Sequence, residues 1–274
     1  MKNFHHWQKP WNGYIKPFKI IGNLYFVGSH HASTHIIDTG DGLIMIDSGY
    51  PQTLYLVLAN MSDLGLNFRD IKYIVHSHGH YDHLGATKAL IELTGAKTFL
   101  GKADFRYADG TLDLTWAKEL GSEYYEAFTP DVLLSDGDTI SLGNTTIKCI
   151  STPGHTPGTM SFFFDVYEGE NTYKCAMHGG VGLNSMKKDF LQKYGLSTDC
   201  RLDFINGLKK VRDIPVDIFI GNHVGNNKTE EKAIMLQNNP FGKNPFINKN
   251  EWRLFIDECI KNIGILIKNE EEIA

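Results

Sequence analysis

The stretch IVHSHGHYDHLGA, Ile74 to Ala86, decides how this chain is read. Within it His78, His80, Asp82 and His83 form H-x-H-x-D-H, four metal-ligand side chains in six residues, directly after a β-rich apolar run. Imidazoles and a carboxylate crowded at a strand end carry a desolvation cost that a cation offsets, so a metal site explains the run better than packing does. Upstream, IKYIV (71–75) reads as a strand, and TLYLVLANMSDLG (53–65) as a helix with Gly65 at its C-terminal cap. NLYFVG (23–28), THIIDT (34–39) and LIMID (43–47) read as short meander strands separated by glycine-containing turns. Downstream, LGATKALIELTG (84–95) reads as a helix and KTFLG (97–101) as the next strand. This order puts the ligand run at the carboxyl end of a strand, where α/β proteins concentrate their chemistry.

Residues 103–128 read as mostly helical and as overhanging the site. A second half begins at Asp131, where 131–151 carries DGD and LGN turns between alternating segments, and SFFFDV and TYKCAM extend it. Helical residues 199–211 then lead into VDIFIGNHVG (216–225), a strand followed by a polar loop. Two halves, each of strands followed by helices, give the expected fold: α/β, a four-layer αβ/βα sandwich with the site along the shared edge. The expected organisation is one domain over 1–274, with 1–17 an N-terminal extension and 227–274 a helical C-terminal tail.

The chain has 274 residues, 42% hydrophobic and 22% charged, enough for a substantial core. Its net charge of −5 argues against nucleic acid, which calls for a basic surface, and favours a small-molecule substrate. MKNFHHWQKPWNGYIKPF lacks the apolar core of a secretory signal, and no run of about 18 apolar residues marks a membrane span. The expected location is cytoplasmic if Met1 is the native start, and periplasmic or secreted if a signal was removed. Composition leaves the oligomeric state open. Cys149, Cys175, Cys200 and Cys259 form no C-x-x-C pair and read as structural thiols.

Two further histidines stand at strand ends. His155 lies in STPGHTPGT, a loop restrained by Pro153, Gly154, Pro157 and Gly158, and His223 lies in GNHVG after a β run. A metal site assembled from several loops on one rim has this appearance. By alternation His76 reads as a core or supporting residue, not a ligand. His178 either packs or lines a pocket. His30 and His31 fall near the mouth, and His5 and His6 are read as solvated.

HSHGHYDH, STPGHTPGT, LIMIDSG and the late His223 together resemble the metallo-β-lactamase superfamily over about residues 20–226. The resemblance implies that His78, His80 and His155 bind one zinc and that Asp82, His83 and His223 bind a second. It also implies that Asp47 orients a ligand, although Asp47 also reads as closing a turn with Ser48 and Gly49. HHWQKPW, PFKI-x-GNLYFVG and NPFINKNEW are similar to the third subclass of class B β-lactamases. Thioester and phosphodiester hydrolases of the superfamily usually place a bridging Asp where this chain has His178 and Gly179, which favours the lactamase-like branch over glyoxalase II and the usual lactonases. That β-lactamase subclass itself often carries Asp-Ser there, a departure. An H-x-E-x-D-H run suits the flavodiiron branch; His80 at that position favours zinc.

The resemblance implies a dizinc hydrolase in which a zinc-bound water with a pKa of about 7 supplies hydroxide to the carbonyl of a β-lactam or similar small cyclic compound. The catalytic part of His78, His80, Asp82 and His155 is then played through that metal-bound hydroxide. An alternative is a cytosolic lactone or thioester hydrolase. A metal-dependent nuclease and an inert binding module are disfavoured by the acidic charge and by the complete ligand set.

Overall fold

The computed structural model describes residues 9–122 and 126–272. His5 and His6, with the start of the N-terminal extension, lie outside the described residues. The first sheet opens with β1 (Phe18–Ile21), β2 (Leu24–Phe26), β3 (His35–Asp38) and β4 (Leu43–Ile46), an antiparallel meander. It continues in parallel through β5 (Ile71–Val75), β6 (Lys97–Gly101) and β7 (Val132–Leu134), giving seven strands in chain order. Helix α1 (Leu54–Asp63) joins β4 to β5; the short α2 (Tyr81–Leu84) and α3 (Thr87–Thr94) join β5 to β6. Gly95 ends α3 with φ +67°, a conformation that glycine adopts without strain.

The second sheet holds β8 (Thr139–Leu142), β9 (Thr145–Ser151), β10 (Met160–Glu168), β11 (Asn171–Met177) and β12 (Ile218–Phe219), in the order β12-β11-β10-β9-β8. Alternation decides which side chains meet. Ile44, Ile46, Phe162, Phe164, Cys175 and Met177 face the shared core between the sheets, whereas Leu43, Met45 and Ala176 face outward. On the outer side of the first sheet, Val57 and Met61 of α1 and Leu90 of α3 pack against Met45 and Ile74. On the outer side of the second, α6 (Cys200–Val211) and α8 (Glu251–Glu272) bury Phe204, Leu208, Trp252, Ile256 and Ile263. The Trp252 indole N–H donates to Val211 O at 2.9 Å, so the ring's one polar group is satisfied. The result is the αβ/βα sandwich that the element order predicts.

Two readings of the sequence need correction. Asp131 does not start the second sheet, because β7 pairs in parallel with β6 and closes the first. The Asp131 carboxylate accepts from Thr98 N at 2.8 Å and Thr98 Oγ1 at 2.7 Å, docking β7 beside β6. Nor are the described residues of 103–128 mostly helical: the only α-helix there is α4 (Phe105–Ala108), followed by turns. Asp109 Oδ1 accepts from Thr111 N and Oγ1 at 2.9 and 2.7 Å, Gly110 has φ +77° and Trp116 φ +70°, so local side-chain bonds and left-handed turns replace a helix. The C-terminal region is helical, formed by α7 (Thr229–Asn238) and α8, with a long turn between them.

Candidate metal centre

The two sheets meet where β5 and the β9–β10 loop touch. Met160 N donates to Ser77 O at 2.9 Å, joining the histidine run to the STPGHTPGT loop. Across this seam, ligand atoms of His78, His80 and His155 lie within 4.8 Å of one another, and so do those of His78, Asp82 and His83. His223 joins them from the loop after β12: its Nε2 is 3.2 Å from His83 Nε2 and 3.4 Å from Asp82 Oδ2. All six residues named from the sequence therefore converge.

The hydrogen bonds on the far side of each ring decide what faces inward. A carbonyl can only accept, so His155 Nδ1 donates to Gly182 O at 2.7 Å and His223 Nδ1 donates to His31 O at 2.9 Å. Asp47 Oδ2 accepts from His83 Nδ1 at 2.8 Å and from Ser77 Oγ at 2.7 Å, and Asp47 Oδ1 accepts from Ser77 N at 2.7 Å. Having given its proton to Asp47, Ser77 Oγ accepts from His78 Nδ1 at 3.0 Å. The Nε2 atoms of neutral His78 and His155 are thus both unprotonated, and they stand 3.1 Å apart. Two lone pairs at that separation repel unless a cation lies between them, so the donors fit a metal. Nitrogen-rich ligation suits zinc.

Electrostatics agree. Burial, helped by neighbouring imidazoles, holds His78 and His80 well below the usual histidine range, and burial brings His155 down to about 4. These rings are neutral ligands at pH 7. Burial disfavours a proton on His83 too, but Asp82 and Asp47 overcome it and raise His83 to about 10, so without metal a proton occupies the place of a cation. Asp82, although buried, is kept ionised far below its usual range by His83, His223 and His80.

Asp47 does more than close a turn. It is fully buried, adopts φ +59°, and uses both oxygens to hold His83 and the Ser77 end of β5. His76 is a core residue, its Nδ1 bonded to Phe99 O at 2.9 Å and its Nε2 to Thr87 Oγ1 at 2.7 Å. His178 is buried, and Gly180 N donates to its Nδ1 at 3.3 Å. The departure at Gly179 is built into the fold, because a Cβ there would lie 2.1 Å from Met160 O. His30 is exposed and pairs with Glu230 on α7.

Sequence reading missed Asp104. This buried carboxylate accepts from Gly79 N (2.7 Å), Thr156 Oγ1 (2.6 Å) and Gly158 N (2.7 Å), clamping the His78–His80 loop to the loop carrying His155. Burial raises it to about 6 against the pull of those donors, leaving it ionised at neutral pH. Only the "AD" of GKADF, far from either motif, was there to signal it. Asp104→Asn presents an amide N–H to at least one donor; it is expected to cost about 2–4 kcal/mol of stability and to weaken zinc binding by roughly 10–100-fold. Denaturant melts and zinc titration test this, and unchanged zinc affinity would refute the clamp.

His35 and His178 make the fold acid-sensitive. Burial lowers them to about 4 and about 3 from an ordinary 6.5, so as pH falls below 6.5 the unfolded chain takes up protons that the folded chain refuses. Between pH 7 and 5 the pair is expected to remove roughly 3–4 kcal/mol of stability, offset by about 1 kcal/mol from Asp104, whose raised pKa acts in the opposite sense. Urea midpoints of wild type and His35→Gln at both pH values provide the measurement. Equal slopes in the two proteins would contradict it.

The fold and site define a metallohydrolase. The family profile described as Metallo-beta-lactamase superfamily matches residues 27–167, and the chain belongs to that superfamily. The chain is similar to the FEZ-1 metallo-beta-lactamase from Legionella gormanii, at 27% identity and TM-score 0.85 over 94% of this chain and 98% of that one. It is also similar to the class B3 di-zinc metallo-beta-lactamase LRA-12 from an Alaskan soil metagenome, at 26% identity and TM-score 0.80 over 93% and 95%. A curated relative, the probable polyketide biosynthesis zinc-dependent hydrolase PksB of Bacillus subtilis (strain 168), is 29% identical over 107 residues, 38% of this chain and 40% of that protein. The chain spans about half or less of the length of the first curated relatives it matches.

Proposed function

We propose that the protein is a dizinc hydrolase that opens β-lactams or similar small cyclic carbonyl compounds. His78, His80 and His155 hold one zinc, and Asp82, His83 and His223 hold the other. The carrying observation is the convergence of these six side chains, with the unprotonated Nε2 atoms of His78 and His155 3.1 Å apart. When bound, zinc supplies Lewis acidity at the carbonyl and activates water near neutral pH. The chain's own residues fix the geometry: Asp47, Gly182 O and His31 O hold the outer nitrogens of His83, His155 and His223, so each ring presents one defined donor. The Trp116 ring lies beside that of His80, with centroids 6.0 Å apart, and borders the site on that side. No protein nucleophile is required. The two-zinc content and the β-lactam preference, together with one metallo-β-lactamase-like domain over 1–274, form a single reading supported by the structural neighbours in the lactamase branch.

Metal analysis of the purified protein is expected to give about two zincs per chain. A panel of a cephalosporin, a carbapenem, a homoserine lactone and a glutathione thioester tests the substrate. Turnover of the lactone or thioester alone replaces the β-lactam assignment and leaves the metal site standing.

A further inference from the structure

We propose that the furrow of about 1150 Å³ between α7, the turn 239–250 and the first turns of α8 is the docking face for a second copy of this chain, giving a two-fold dimer. None of the six metal-ligand residues lines it, so the inference stands apart from what the metal centre hydrolyses. The pattern of α7 leads to it. Helical spacing puts Thr229, Lys232 and Ala233 on the buried face and leaves Ile234 and Met235 each 57% exposed. Met235 lines the furrow together with Leu254 of α8, which is 65% exposed, and Phe241 stands 100% exposed on the turn that closes it. Monomers expose large apolar side chains singly; four of them within 234–254 mark an interaction surface.

The walls are fixed in place. Lys232 Nζ donates to both carboxylate oxygens of Glu251, at 2.6 and 2.5 Å, joining α7 to the first residue of α8. Asn244 Nδ2 donates to Ile20 O and Asn248 N to Asp217 O, both at 2.8 Å, which pins the turn to β1 and to the start of β12. The far end of α8 is committed to the fold, since Glu270 accepts from Lys188 N at 3.0 Å and pairs with Arg201, tying it to α5 (Lys188–Lys193) and α6. A pre-formed surface lowers the ordering cost of association. The rim decides the partner. Lys228, Lys243, Glu231 and Glu258 line the furrow and form no ion pair among the described residues, so it presents equal numbers of free cations and anions. Such a rim is complementary to its own copy across a two-fold axis, where the lysines of one protomer face the glutamates of its partner. An acidic peptide, a basic peptide or an anionic membrane would meet as many like charges as opposite ones. The face runs from Gly225 to Glu258, on the scale of the about 20–30 residues a side that a stable dimer buries.

Sedimentation velocity of the zinc-loaded protein is expected to show a dimer at tens of micromolar. Phe241→Asp and Leu254→Asp are each expected to raise the dimer Kd by about 100-fold or more, because a two-fold axis counts each change twice. Leu202→Asp, at a comparably exposed leucine on α6, is expected to leave it unchanged. Lys228→Glu/Lys243→Glu makes the unpaired rim charges wholly acidic, and Glu231→Lys/Glu258→Lys makes them wholly basic. Each double variant alone is expected to be monomeric and their equimolar mixture to dimerise. Melting temperature and zinc content, expected to match wild type in all these surface variants, report that folding is intact. A wild-type monomer at these concentrations overturns the proposal, including one that co-sediments with phosphatidylglycerol vesicles, which would give the face to a membrane surface. A dimer that survives both Phe241→Asp and Leu254→Asp overturns it too, as does a mixture of the charge variants that stays monomeric.

Discussion

His78→Ala is expected to lose zinc and hydrolysis together, with kcat/KM falling by roughly 10³-fold or more. Among the described residues, His78 is the one whose ligand atom belongs to both converging groups, and its Nε2 faces His155 Nε2 at 3.1 Å. Its far nitrogen is held by Ser77, which Asp47 holds in turn, so the ring is delivered in one tautomer by the same carboxylate that positions His83. Deleting it removes a donor and also a neighbour of the ring stack, since its centroid lies 4.8, 4.3 and 4.6 Å from those of His80, His83 and His155. His76→Gln, two residues upstream, is the contrast: it breaks bonds to Phe99 O and Thr87 Oγ1, so it is expected to lower stability and leave zinc content unchanged. Metal analysis and steady-state kinetics on both variants separate the two roles. A His78→Ala protein with its full zinc complement and no turnover would take His78 out of the metal-holding set.

The contrast between His76 and His78 also shows what sequence makes legible. Strand alternation at 71–75 predicts that His76 continues into the core, and the crowding of donors from His78 onward breaks that alternation for a reason packing cannot supply. In Leu43–Ile46, by contrast, all four residues are apolar and buried, so the strand was legible but its faces were not: only the packing sends Ile44 and Ile46 to the core between the sheets and Leu43 and Met45 to the helices. Where readings went wrong, long-range contacts decided. Three residues, Val132–Leu134, carry no mark of which sheet they join; the bond from Thr98 to Asp131 chooses. Residues 105–122 have the apolar content of a helix, but Asp109 and the left-handed Trp116 end it after one turn. Asp104 was invisible for a related reason: its partners Gly79, Thr156 and Gly158 are 25 to 54 positions away and use mostly backbone donors, which have no residue type to read.

Removing zinc is expected to abolish activity and to lower the melting temperature by about 10 °C, with both restored by added zinc. Asp47 and the backbone carbonyls of Gly182 and His31 fix the rings from outside, so the inward donors cannot turn away when the metal leaves. The metal-free fold therefore retains a strained cluster, relieved in one half by a proton on His83, whose pKa Asp82 and Asp47 lift to about 10 against burial. In the other half, His78 and His155 are held neutral by burial and share no proton, so that pair gains most from a cation. A ligand at a thousandfold over its Kd stabilises the folded state by about 4 kcal/mol, and for a chain of this size each kcal/mol moves Tm by roughly 2–4 °C. Scanning calorimetry of chelator-treated and zinc-restored protein measures the shift. Coincident melts would mean that the cluster holds no ion in solution, and would undo the metal assignment however well the chain matches its superfamily.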